Sequence, residues 1–529
     1  EKAEPTSMGF AGLSVAIGDV DHDKLMDIVA LTGEGKVAII DRNGKVSQLS
    51  NDIVDGHNTT NFGWGGGIAL GDMDNDGWTE IAFGRTVFTM AGGTLKLLFK
   101  GAYGSGGTIN KTTVHFADLD NDGDLELIAG RTAYQSDGSY LWHNTAVTDG
   151  LTATGDFDKD GLPEVVVIGA GKLSILDGAT GNIEIGPFSI PGTGLGGPPT
   201  VADFNGDGEP EIGVAMANLY TVLKPDYPNT TMTTLWSTQN HDNSSSVTGS
   251  SVFDFEGDGA AEVVYMDECF LWVYDGTTGN ILYGARSQSF TATEAPVVAD
   301  VDGDGHAEIL MVHNGADPNN SLWHCAHHTG GDGYPTWYQP NSGAYRGVTL
   351  LGDVANSWVG TRTLWNQHAY SVSNICDPRD TACTGNTYYG QIPQHQNKNW
   401  NTSWLNNFRQ NIQESGLFDA PDPLVKLHVN CDKPVSMKAY VRNLGRATLP
   451  SNVEVGIFKK PNTQIGSVYT SKTLLPGQTE AIPFVSAMAD ANTDDTFYAE
   501  ILVDPNQPNF HECRPENNRS DDVNPDCPK

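Results

Sequence analysis

The chain has 529 residues, a formal net charge of −36 and 61 glycines, and only 18% of its residues are charged. This composition is typical of a turn-rich all-β protein and disfavours a helical or disordered chain. The excess of acid argues against nucleic acid and anionic membrane surfaces as partners. No apolar run approaches the roughly 18–20 residues that span a bilayer, so the chain is predicted not to cross a membrane.

A nine-residue acidic pattern recurs seven times, at intervals of 38 to 53 residues. In the copy DLDNDGDLE, residues 118–126, carboxylates occupy positions 1, 3, 5 and 9, and a glycine occupies position 6. Carboxylates this close repel one another, so a cation is expected among them. Oxygen ligands at positions 1, 3 and 5, a turn glycine at 6 and a backbone carbonyl at 7 are typical of a Ca²⁺-binding loop. The last acid falls at position 9 and a short apolar run follows, which predicts a loop between two β-strands rather than two helices.

The seven copies predict up to seven bound Ca²⁺ ions, each held by four side chains and one backbone carbonyl. The predicted side-chain ligands are Asp19, Asp21, Asp23, Asp27, Asp72, Asp74, Asp76, Glu80, Asp118, Asp120, Asp122, Glu126, Asp156, Asp158, Asp160, Glu164, Asp203, Asn205, Asp207, Glu211, Asp254, Glu256, Asp258, Glu262, Asp300, Asp302, Asp304 and Glu308. The predicted carbonyl ligands are those of Leu25, Trp78, Asp124, Leu162, Glu209, Ala260 and His306. Lys24 replaces the glycine of the first copy and Asn205 replaces a carboxylate of the fifth, so these two sites are expected to be the weakest. Full ligand sets leave no open position, which favours structural over catalytic ions.

Each acidic loop belongs to a repeat that reads as four short strands. In KLSILDGATGNIEI, residues 172–185, the Asp-Gly and Thr-Gly pairs are hairpin signals between the third and fourth strands. A quasi-period of this length suits propeller blades of four strands. The predicted fold class is therefore all-β, with a seven-bladed β-propeller over residues 8–352.

The order of strands in such a propeller sorts its loops onto two sides. The acidic loops and the DG turns fall on one side, and the links between blades fall on the other. The links are long and share no pattern, as SIPGTGLGGPP and STQNHDNSSSVTGS illustrate. Because recognition is concentrated on variable loops, we expect ligand or partner binding on the link side, at residues such as Trp64, Tyr103 and His241.

Residues 353–423 break the repeat and form a connector rich in Trp, Asn, Gln and Tyr, in which SWLNNFRQNIQ (403–413) is a candidate short helix. Six of the eleven tryptophans cluster here or just before it: Trp323, Trp337, Trp358, Trp365, Trp400 and Trp404. Exposed rings would make a sugar-binding platform, whereas buried rings would make a packing plug between the propeller and the C-terminal region. We favour packing, because buried aromatic side chains dominate core and interface energetics.

Residues 424–529 return to alternating apolar and polar positions, which predicts a second β domain. Seven cysteines are present, and none forms a C-x-x-C pair, which disfavours a zinc ribbon. Cys376 and Cys383 have the spacing of a small disulfide-closed loop, and the odd count leaves one thiol unpaired or bonded to a partner. Disulfides favour an exported protein.

The sequence contains no G-x-S-x-G, H-E-x-x-H or P-loop pattern. Its 66 acidic residues leave open a carboxylate pair of the kind that hydrolyses glycosides, without singling one out. Candidates for the base of a lyase exist, but nothing pairs them: Arg362, His368 and Tyr370. The segment HCAHH offers His324, His327 and His328 as metal ligands. No carboxylate or cysteine pair completes such a site, so incidental histidines are the favoured interpretation.

The pattern D-x-D-x-D-G-x-x-[DE] and its flanking strands resemble the FG-GAP/VCBS repeats of the integrin α-subunit propeller. Lectins and a family of rhamnogalacturonan lyases have similar propellers, so the resemblance implies the fold and Ca²⁺ but no single activity. The C-terminal pattern N-x-G, L-x-P-G-Q, E-C-x-x-x-N-N resembles CARDB-type immunoglobulin-like β-sandwiches, over residues 424–529. That resemblance implies that Cys431 pairs with Cys513 or Cys527.

These observations predict a secreted or cell-surface protein, stabilised by calcium, that binds glycan or protein partners without catalysis. It would work alone or as a subunit of a larger surface assembly. The alternative is a calcium-dependent, polysaccharide-active enzyme resembling the rhamnogalacturonan lyases.

Overall fold

The structure is a computed structural model of the chain. It describes residues 9–11, 14–59, 62–108, 111–303, 306–315, 325–330, 334–336, 346–354, 358–377, 387–394, 398–412, 421–431, 433–445, 448–475, 478–486, 495–502 and 518–525. The described residues form antiparallel β-sheets and short 3-10 turns, with no α-helix among them. None of their helical segments has the length and hydropathy needed to cross a bilayer. The prediction of an all-β fold is confirmed.

Seven sheets, here called sheets 1 to 7, follow one another along the chain, and the strands of each are joined in sequence order. Sheet 1 contains β1 (Ala16–Gly18), β2 (Asp27–Leu31), β3 (Val37–Ile40) and β4 (Val46–Leu49). Sheet 2 contains β5 (Ala69–Gly71), β6 (Glu80–Phe83), β7 (Thr86–Thr89) and β8 (Lys96–Lys100). A two-stranded ribbon of β9 (Gly107–Thr108) and β10 (Lys111–Thr112) precedes sheet 3, which contains β11 (His115–Ala117), β12 (Glu126–Ile128), β13 (Thr132–Tyr134) and β14 (Tyr140–His143). Sheet 4 contains β15 (Leu151–Gly155), β16 (Glu164–Gly169), β17 (Lys172–Asp177) and β18 (Ile183–Ser189).

The later sheets repeat this order. Sheet 5 contains β19 (Thr200–Ala202), β20 (Glu211–Ala215), β21 (Leu219–Asp226) and β22 (Thr231–Gln239). Sheet 6 contains β23 (Ser250–Phe253), β24 (Glu262–Met266), β25 (Phe270–Tyr274) and β26 (Ile281–Arg286). Sheet 7 has three strands among the described residues: β27 (Val297–Ala299), β28 (Glu308–Asn314) and β29 (Arg346–Gly352). The 3-10 turns are Tyr227–Asn229, Cys325–His327, Val372–Asn374, Asn399–Asn401 and Ser403–Leu405.

Burial within a sheet falls from its second strand to its fourth. Every residue of β16, EVVVIG, is buried, whereas β4 and β8 alternate between exposed and half-buried positions. The hydrophobic clusters lie between successive sheets. Val29 of sheet 1 shares a cluster with Leu70 and Ile81 of sheet 2, and Tyr220 of sheet 5 shares one with Trp272 of sheet 6. Each sheet therefore packs face to face on the next, and this packing supplies the apolar burial that stabilises it.

The connector lies against the first strands of the seven sheets. Its contacts are Ile17 N–H to Asn366 O (2.8 Å), Leu70 N–H to Gln367 Oε1 (2.8 Å), the rings of His115 and Phe408 (4.8 Å), Asp156 N–H to Asn406 Oδ1 (3.0 Å), Phe408 N–H to Val201 O (2.8 Å), Val252 N–H to Arg409 O (3.2 Å) and Asp300 N–H to Arg362 O (3.1 Å). The connector thus contacts each of the seven sheets, either at its first strand or at the residue that follows that strand. These bonds satisfy backbone groups that an unpaired strand edge would leave open.

The connector's structure agrees with the packing interpretation of its tryptophans but corrects the predicted place. Trp400 is buried in a cluster of residues from sheets 3 and 4, and Trp365 stacks on buried Tyr370. The plug therefore contacts the first strands rather than a boundary with the C-terminal region. Trp323 and Trp337 lie outside the described residues.

The short helix predicted at residues 403–413 is wrong over the described part, 403–412. A 3-10 turn ends at Leu405, and Phe408 and Gln410 then pair with Val201 and Val252 of sheets 5 and 6. Tertiary pairing with strand edges therefore overrides the local helical pattern.

The C-terminal region forms two further sheets around one core. β30 (Pro423–Val429), β31 (Ser436–Asn443) and β34 (Thr479–Val485) make one sheet, and β33 (Thr463–Tyr469), β32 (Glu454–Lys459) and β35 (Phe497–Leu502) make the other. Buried residues of both sheets belong to a single hydrophobic cluster. Burial in β31 alternates strictly, which agrees with the two-residue period of its sequence.

Candidate metal centres

The seven acidic loops occupy equivalent places. Each begins directly after the first strand of its sheet, and its position-9 acid is the first residue of the second strand. In sheet 3, for example, the loop runs from Asp118, after β11, to Glu126, the start of β12. The position-9 acids are buried in all seven loops, and the position-1 acids are buried in all but the fifth, where Asp203 is half-buried, because both positions flank a core strand.

The loop backbone is held by its own carboxylates. In the third loop, Asp118 Oδ2 accepts a hydrogen bond from Gly123 N–H (3.1 Å), and Glu126 Oε2 accepts one from Leu119 N–H (2.8 Å). The bond from position 6 to position 1 recurs in loops 1, 2, 4, 5 and 6, from Lys24 (2.9 Å), Gly77 (2.9 Å), Gly161 (3.1 Å), Gly208 (2.7 Å) and Gly259 (2.9 Å). Lys24 reaches it with φ +70°, in the left-handed region where the other loops use glycine. The loop shape is therefore kept even where its glycine is missing.

The carboxylates converge on one point in each of the first four loops. Oxygens of three acids lie within 4.8 Å of one another in each of the first four loops: Asp19, Asp21 and Asp27; Asp72, Asp74 and Asp76; Asp118, Asp120 and Asp122; Asp156, Asp158 and Glu164. Oxygens bound at 2.3–2.6 Å on opposite sides of Ca²⁺ are about 4.6–5.2 Å apart, so this spacing can enclose the ion.

The electrostatics of the loops also fit a cation. Asp72 Oδ1 and Asp118 Oδ1 are buried without a hydrogen-bond partner among the described residues. Burial and, to a smaller extent, the neighbouring aspartates raise the pKa of Glu80 to about 8 and that of Glu164 to about 9. A buried carboxylate is costly to ionise unless a positive charge compensates it. Ca²⁺ would supply that charge, and the donor set is the all-oxygen set that it prefers.

The fifth loop contains a positive charge of its own. The ammonium of Lys224, from β21, contacts the carboxylates of Asp207, Glu209 (3.0 Å) and Glu211 (3.2 Å). The amide of Asn205 donates to Glu211 Oε1 (2.9 Å). Carboxylate oxygens that were predicted to bind Ca²⁺ therefore contact nitrogen donors in this loop. The sequence analysis missed Lys224 because it lies on another strand, outside the nine-residue pattern.

The first loop is altered by the connector. Tyr388 O–H donates to Asp19 Oδ2 at 2.5 Å, and the Lys24 ammonium lies 5.9 Å from the centre of the Tyr388 ring. The third loop also receives a connector residue, since Lys398 Nζ lies 3.0 Å from Asp118 Oδ2. Connector side chains therefore contact the position-1 carboxylates of the first and third acidic loops, which the sequence analysis treated as independent of the connector.

The other residues that were predicted to bind Ca²⁺ make hydrogen bonds within their loops, and their role as ligands stays a prediction. Position-7 residues donate their backbone N–H to the position-5 carboxylate in loops 1 to 6: Leu25 (2.8 Å), Trp78 (2.7 Å), Asp124 (2.9 Å), Leu162 (2.8 Å), Glu209 (3.0 Å) and Ala260 (3.0 Å). In the seventh loop, Asp300 Oδ1 accepts from Gly303 N–H (2.6 Å) and Glu308 Oε2 from Val301 N–H (2.9 Å). Asp304 lies outside the described residues.

The residues expected on the link side do not form one site. Trp64 is 53% exposed and lines a cavity of about 750 Å³ beside Phe290 and Trp365. Tyr103 instead stacks on His143 in sheet 3, with ring centres 4.3 Å apart. His241 is held elsewhere, by Glu268 at 2.8 Å. The lining of the cavity adds buried His368 and Arg409, of which the sequence analysis did not single out Arg409.

The candidate lyase residues are enclosed in the connector. Arg362 is 1% exposed and donates to Tyr370 Oη (2.9 Å) and Val372 O (3.1 Å). His368 is 7% exposed and faces Arg409. Arg362 and Tyr370 are therefore held by contacts inside the connector, whereas His368 also lines the cavity.

Part of the histidine segment joins a different cluster. His328 approaches His241 and Cys269, with one ligand atom of each within 4.8 Å of the others. Cys269 is bonded to Cys325 in a disulfide, so its sulfur is not a thiolate ligand there. Cys376 and Cys431 are also disulfide-bonded. His324, Cys383, Cys513 and Cys527 lie outside the described residues, so the pairings predicted for them stay predictions.

Comparison with known proteins adds one family match. Residues 156–214, which run from the fourth acidic loop through the fifth, match the FG-GAP-like repeat. No curated protein matches the sequence.

Several solved structures are similar to the chain. The V. cholerae biofilm matrix protein Bap1 matches 76% of this chain and 85% of its own, at 19% identity and a TM-score of 0.56. The exotype rhamnogalacturonan lyase YesX matches 57% and 59%, at 15% identity and a TM-score of 0.40. The CARDB domain of the PF1109 protein from Pyrococcus furiosus, in complex with di-metal ions, matches 20% and 96%, at 20% identity and a TM-score of 0.17. The last two TM-scores are too low to support an argument. The comparisons thus identify an FG-GAP-like repeat within a chain that shares its fold with Bap1.

Proposed function

We propose that this chain is a secreted or cell-surface binding protein whose adhesive fold is a calcium-stabilised, seven-bladed β-propeller over residues 8–352. The connector, 353–423, is its central plug, and residues 424–529 form an immunoglobulin-like, CARDB-type sandwich. The protein binds glycans or surface proteins, alone or within a larger assembly. The carrying observation is the repetition of one acidic loop in seven equivalent places.

The propeller proposal is supported by three features of the described residues. Seven sheets with the same strand order pack each on the next. One connector touches the start of all seven. Val15, the residue before the first strand of sheet 1, and Val312 of sheet 7 line the same cavity, which is expected if the first and last blades are neighbours in a ring.

Calcium has a structural role in this proposal. Each ion would join the end of a first strand to the start of a second, since the position-1 and position-9 acids flank those strands. Ions that bind only the folded state stabilise it by their binding free energy. The count is fewer than seven if the Lys224 ammonium replaces Ca²⁺ in the fifth loop.

Binding is favoured over catalysis. The residues considered for a lyase, Arg362 and Tyr370, bond to each other in the buried connector. Bap1 is a biofilm matrix protein, and the shared fold supports a comparable extracellular setting for this chain. Its net charge of −36 also suits a calcium-rich medium outside the cell.

The proposal is tested by applying the purified chain to arrays of glycans and of surface proteins, with calcium and with chelator. We expect calcium-dependent retention on at least one array. The same glycans are incubated in solution and read for the ultraviolet absorbance of unsaturated uronates. No retention on either array would contradict the binding proposal, and product absorbance would favour the lyase.

A further inference from the structure

The cavity on the link side lies between sheet 1 and sheet 7. Its volume is about 750 Å³, within the range of ligand sites in proteins. The walls are mainly apolar and include Val15, Val297, Leu310 and Val312. Val15 and Val312 are 47% and 52% exposed, so the walls are open to an incoming group.

An aromatic pair forms part of the lining. Trp64, from the link between sheets 1 and 2, lies edge-on to Phe290, from the link between sheets 6 and 7, with ring centres 6.1 Å apart. The indole is 53% exposed. Large exposed apolar surface beside a cavity marks a binding surface more often than an isolated exposed side chain does.

The cavity also has a buried cation in its lining. Arg409 is 2% exposed, and its guanidinium donates through Nε to Ser250 O (2.7 Å) and through Nη1 to His368 Nδ1 (2.9 Å). Within the described part of the chain, Nη2 has no hydrogen-bond acceptor and no carboxylate lies within ion-pair distance of Arg409. A buried charge whose N–H donor has no acceptor is costly unless a bound ligand supplies that acceptor.

The neighbouring histidine does not neutralise this charge. Burial and, to a smaller extent, the nearby guanidinium lower the pKa of His368 to about 3, so the imidazole is neutral. His368 Nε2 lies 2.5 Å from Thr293 O and donates to it, which leaves Nδ1 as the acceptor for Arg409. Arg409 therefore keeps its positive charge.

The acidic side chain in the lining is engaged elsewhere. Glu294 accepts hydrogen bonds from Ser289 Oγ (2.6 Å) and Ala292 N–H (2.5 Å), within its own loop. The cavity thus combines apolar walls with an unpaired guanidinium. A sugar acid would bury several hydroxyls against valine and leucine, whereas a carboxylate on an apolar body matches both parts.

We propose that this cavity binds the C-terminal carboxylate of a polypeptide whose last residues are apolar. The carboxylate accepts a hydrogen bond from Arg409 Nη2, and the terminal side chains fill the space between Val15, Val312 and Trp64. This inference rests on the proposed function, because it names the partner class of the link side. The volume exceeds that of one side chain and has room for two or three residues.

The test uses the full calcium-loaded chain and isothermal titration with three acetylated peptides: Ala-Phe-Leu with a free carboxylate, the same peptide as its C-terminal amide, and Ala-Ser-Ser with a free carboxylate. We expect the first to bind about tenfold or more tightly than either control, since a charge-assisted hydrogen bond and apolar burial are each worth that much. Equal binding of acid and amide, or no binding of the acid, would overturn the proposal.

Substitutions in the cavity lining test whether the peptide binds there. Arg409→Met risks misfolding because Arg409 also bonds to Ser250, so Val312→Asp and Trp64→Ala are used instead. Both should weaken the free-acid peptide about tenfold, whereas Tyr140→Ala, which removes a similarly exposed ring in sheet 3, should not. Unchanged affinity in Val312→Asp would overturn the site.

A small carboxylic acid distinguishes a peptide C-terminus from a free acid as the ligand, since both offer a carboxylate on an apolar body. If 4-phenylbutyrate binds as tightly as the peptide, the ligand is a free carboxylic acid and the polypeptide proposal is wrong. Array retention is measured with the same variants. If Val312→Asp loses the peptide but keeps array retention, the binding function stands apart from this cavity. If the peptide binds but no array retains the chain, only the broader proposal fails.

Discussion

Lys224 Nζ lies 3.2 Å from Oε1 of Glu211, at the centre of the fifth acidic loop. The lysine comes from the third strand of sheet 5, and Glu211 begins the second strand. Its ammonium also contacts Asp207 and Glu209, so it lies among the carboxylates of its loop, at the place where we propose that other loops bind Ca²⁺. A nearby ammonium compensates those charges as a bound ion would.

Replacing Lys224 with methionine should therefore create a calcium requirement. The carboxylates of Asp207, Glu209 and Glu211 would lose their counter-charge, and Ca²⁺ would bind there. We expect one more Ca²⁺ per chain in Lys224→Met than in the wild type, measured by elemental analysis after dialysis. Lys172→Met, at an exposed position of sheet 4, is the control and should not change the count. An unchanged count in Lys224→Met would show that the ammonium does not replace the ion.

The buried histidine of sheet 3 predicts a dependence of stability on pH. Burial lowers the pKa of His115 to about 3, below the ordinary value of 6.5, and the ring contacts Phe408 of the connector. The unfolded chain takes up a proton as the pH falls below about 6.5, while the folded chain does not. Stability is therefore lost with falling pH, by up to about 1.4 kcal/mol per pH unit between about 6.5 and 3.

His115→Asn removes this titration. With calcium kept saturating, chemical unfolding at pH 7.5 and pH 5.5 should show a smaller pH-dependent loss in the variant than in the wild type. The exposed His428→Asn serves as control and should keep the wild-type slope. Equal slopes in all three proteins would contradict a neutral, buried His115.

Substitutions on the acidic-loop side should lower stability, whereas substitutions on the link side should reduce binding. Asp120→Asn weakens the third acidic loop and should lower the melting temperature in calcium, because a carboxylate ligand is lost. Trp64→Ala removes a half-exposed ring on the link side and should reduce retention on the arrays while changing the melting temperature little. Loss of retention in a fully folded Asp120→Asn protein would place binding on the acidic-loop side instead.

The disulfide between Cys269 and Cys325 should stabilise the later sheets. It joins residues 56 positions apart, and both cysteines are buried. A cross-link of this span restricts the unfolded chain and is worth about 2–4 kcal/mol. The double variant Cys269→Ala, Cys325→Ala should unfold at lower denaturant concentration. A midpoint equal to that of the wild type would contradict a stabilising role.

The sequence is sufficient to predict those features that depend on residues close together in the chain. The spacing from Asp118 to Glu126 is sufficient to predict a turn between two strands, because its carboxylates lie within nine residues and its backbone hydrogen bonds are internal to the loop. The alternation in β31 likewise predicts which of its residues are buried. Local periodicity carries both signals.

Contacts between distant residues could not be predicted in this way. Tyr388 bonds to Asp19 across 369 positions, and Arg409 meets Ser250 across 159. Neither pair has a spacing or a motif, since both depend on where the connector lies in the fold. The helix expected at 403–413 failed for the same reason, as Phe408 and Gln410 pair with strands far away in sequence.

The central claim is that calcium in the acidic loops holds the seven sheets together. The most direct measurement is thermal unfolding by scanning calorimetry, in excess calcium and after exhaustive chelation, on the wild type and on the Asp120→Asn variant. We predict a melting temperature that falls sharply on chelation, rises with calcium concentration, and falls less in the variant, which has less calcium to lose. Identical unfolding curves with calcium and with chelator would contradict the account.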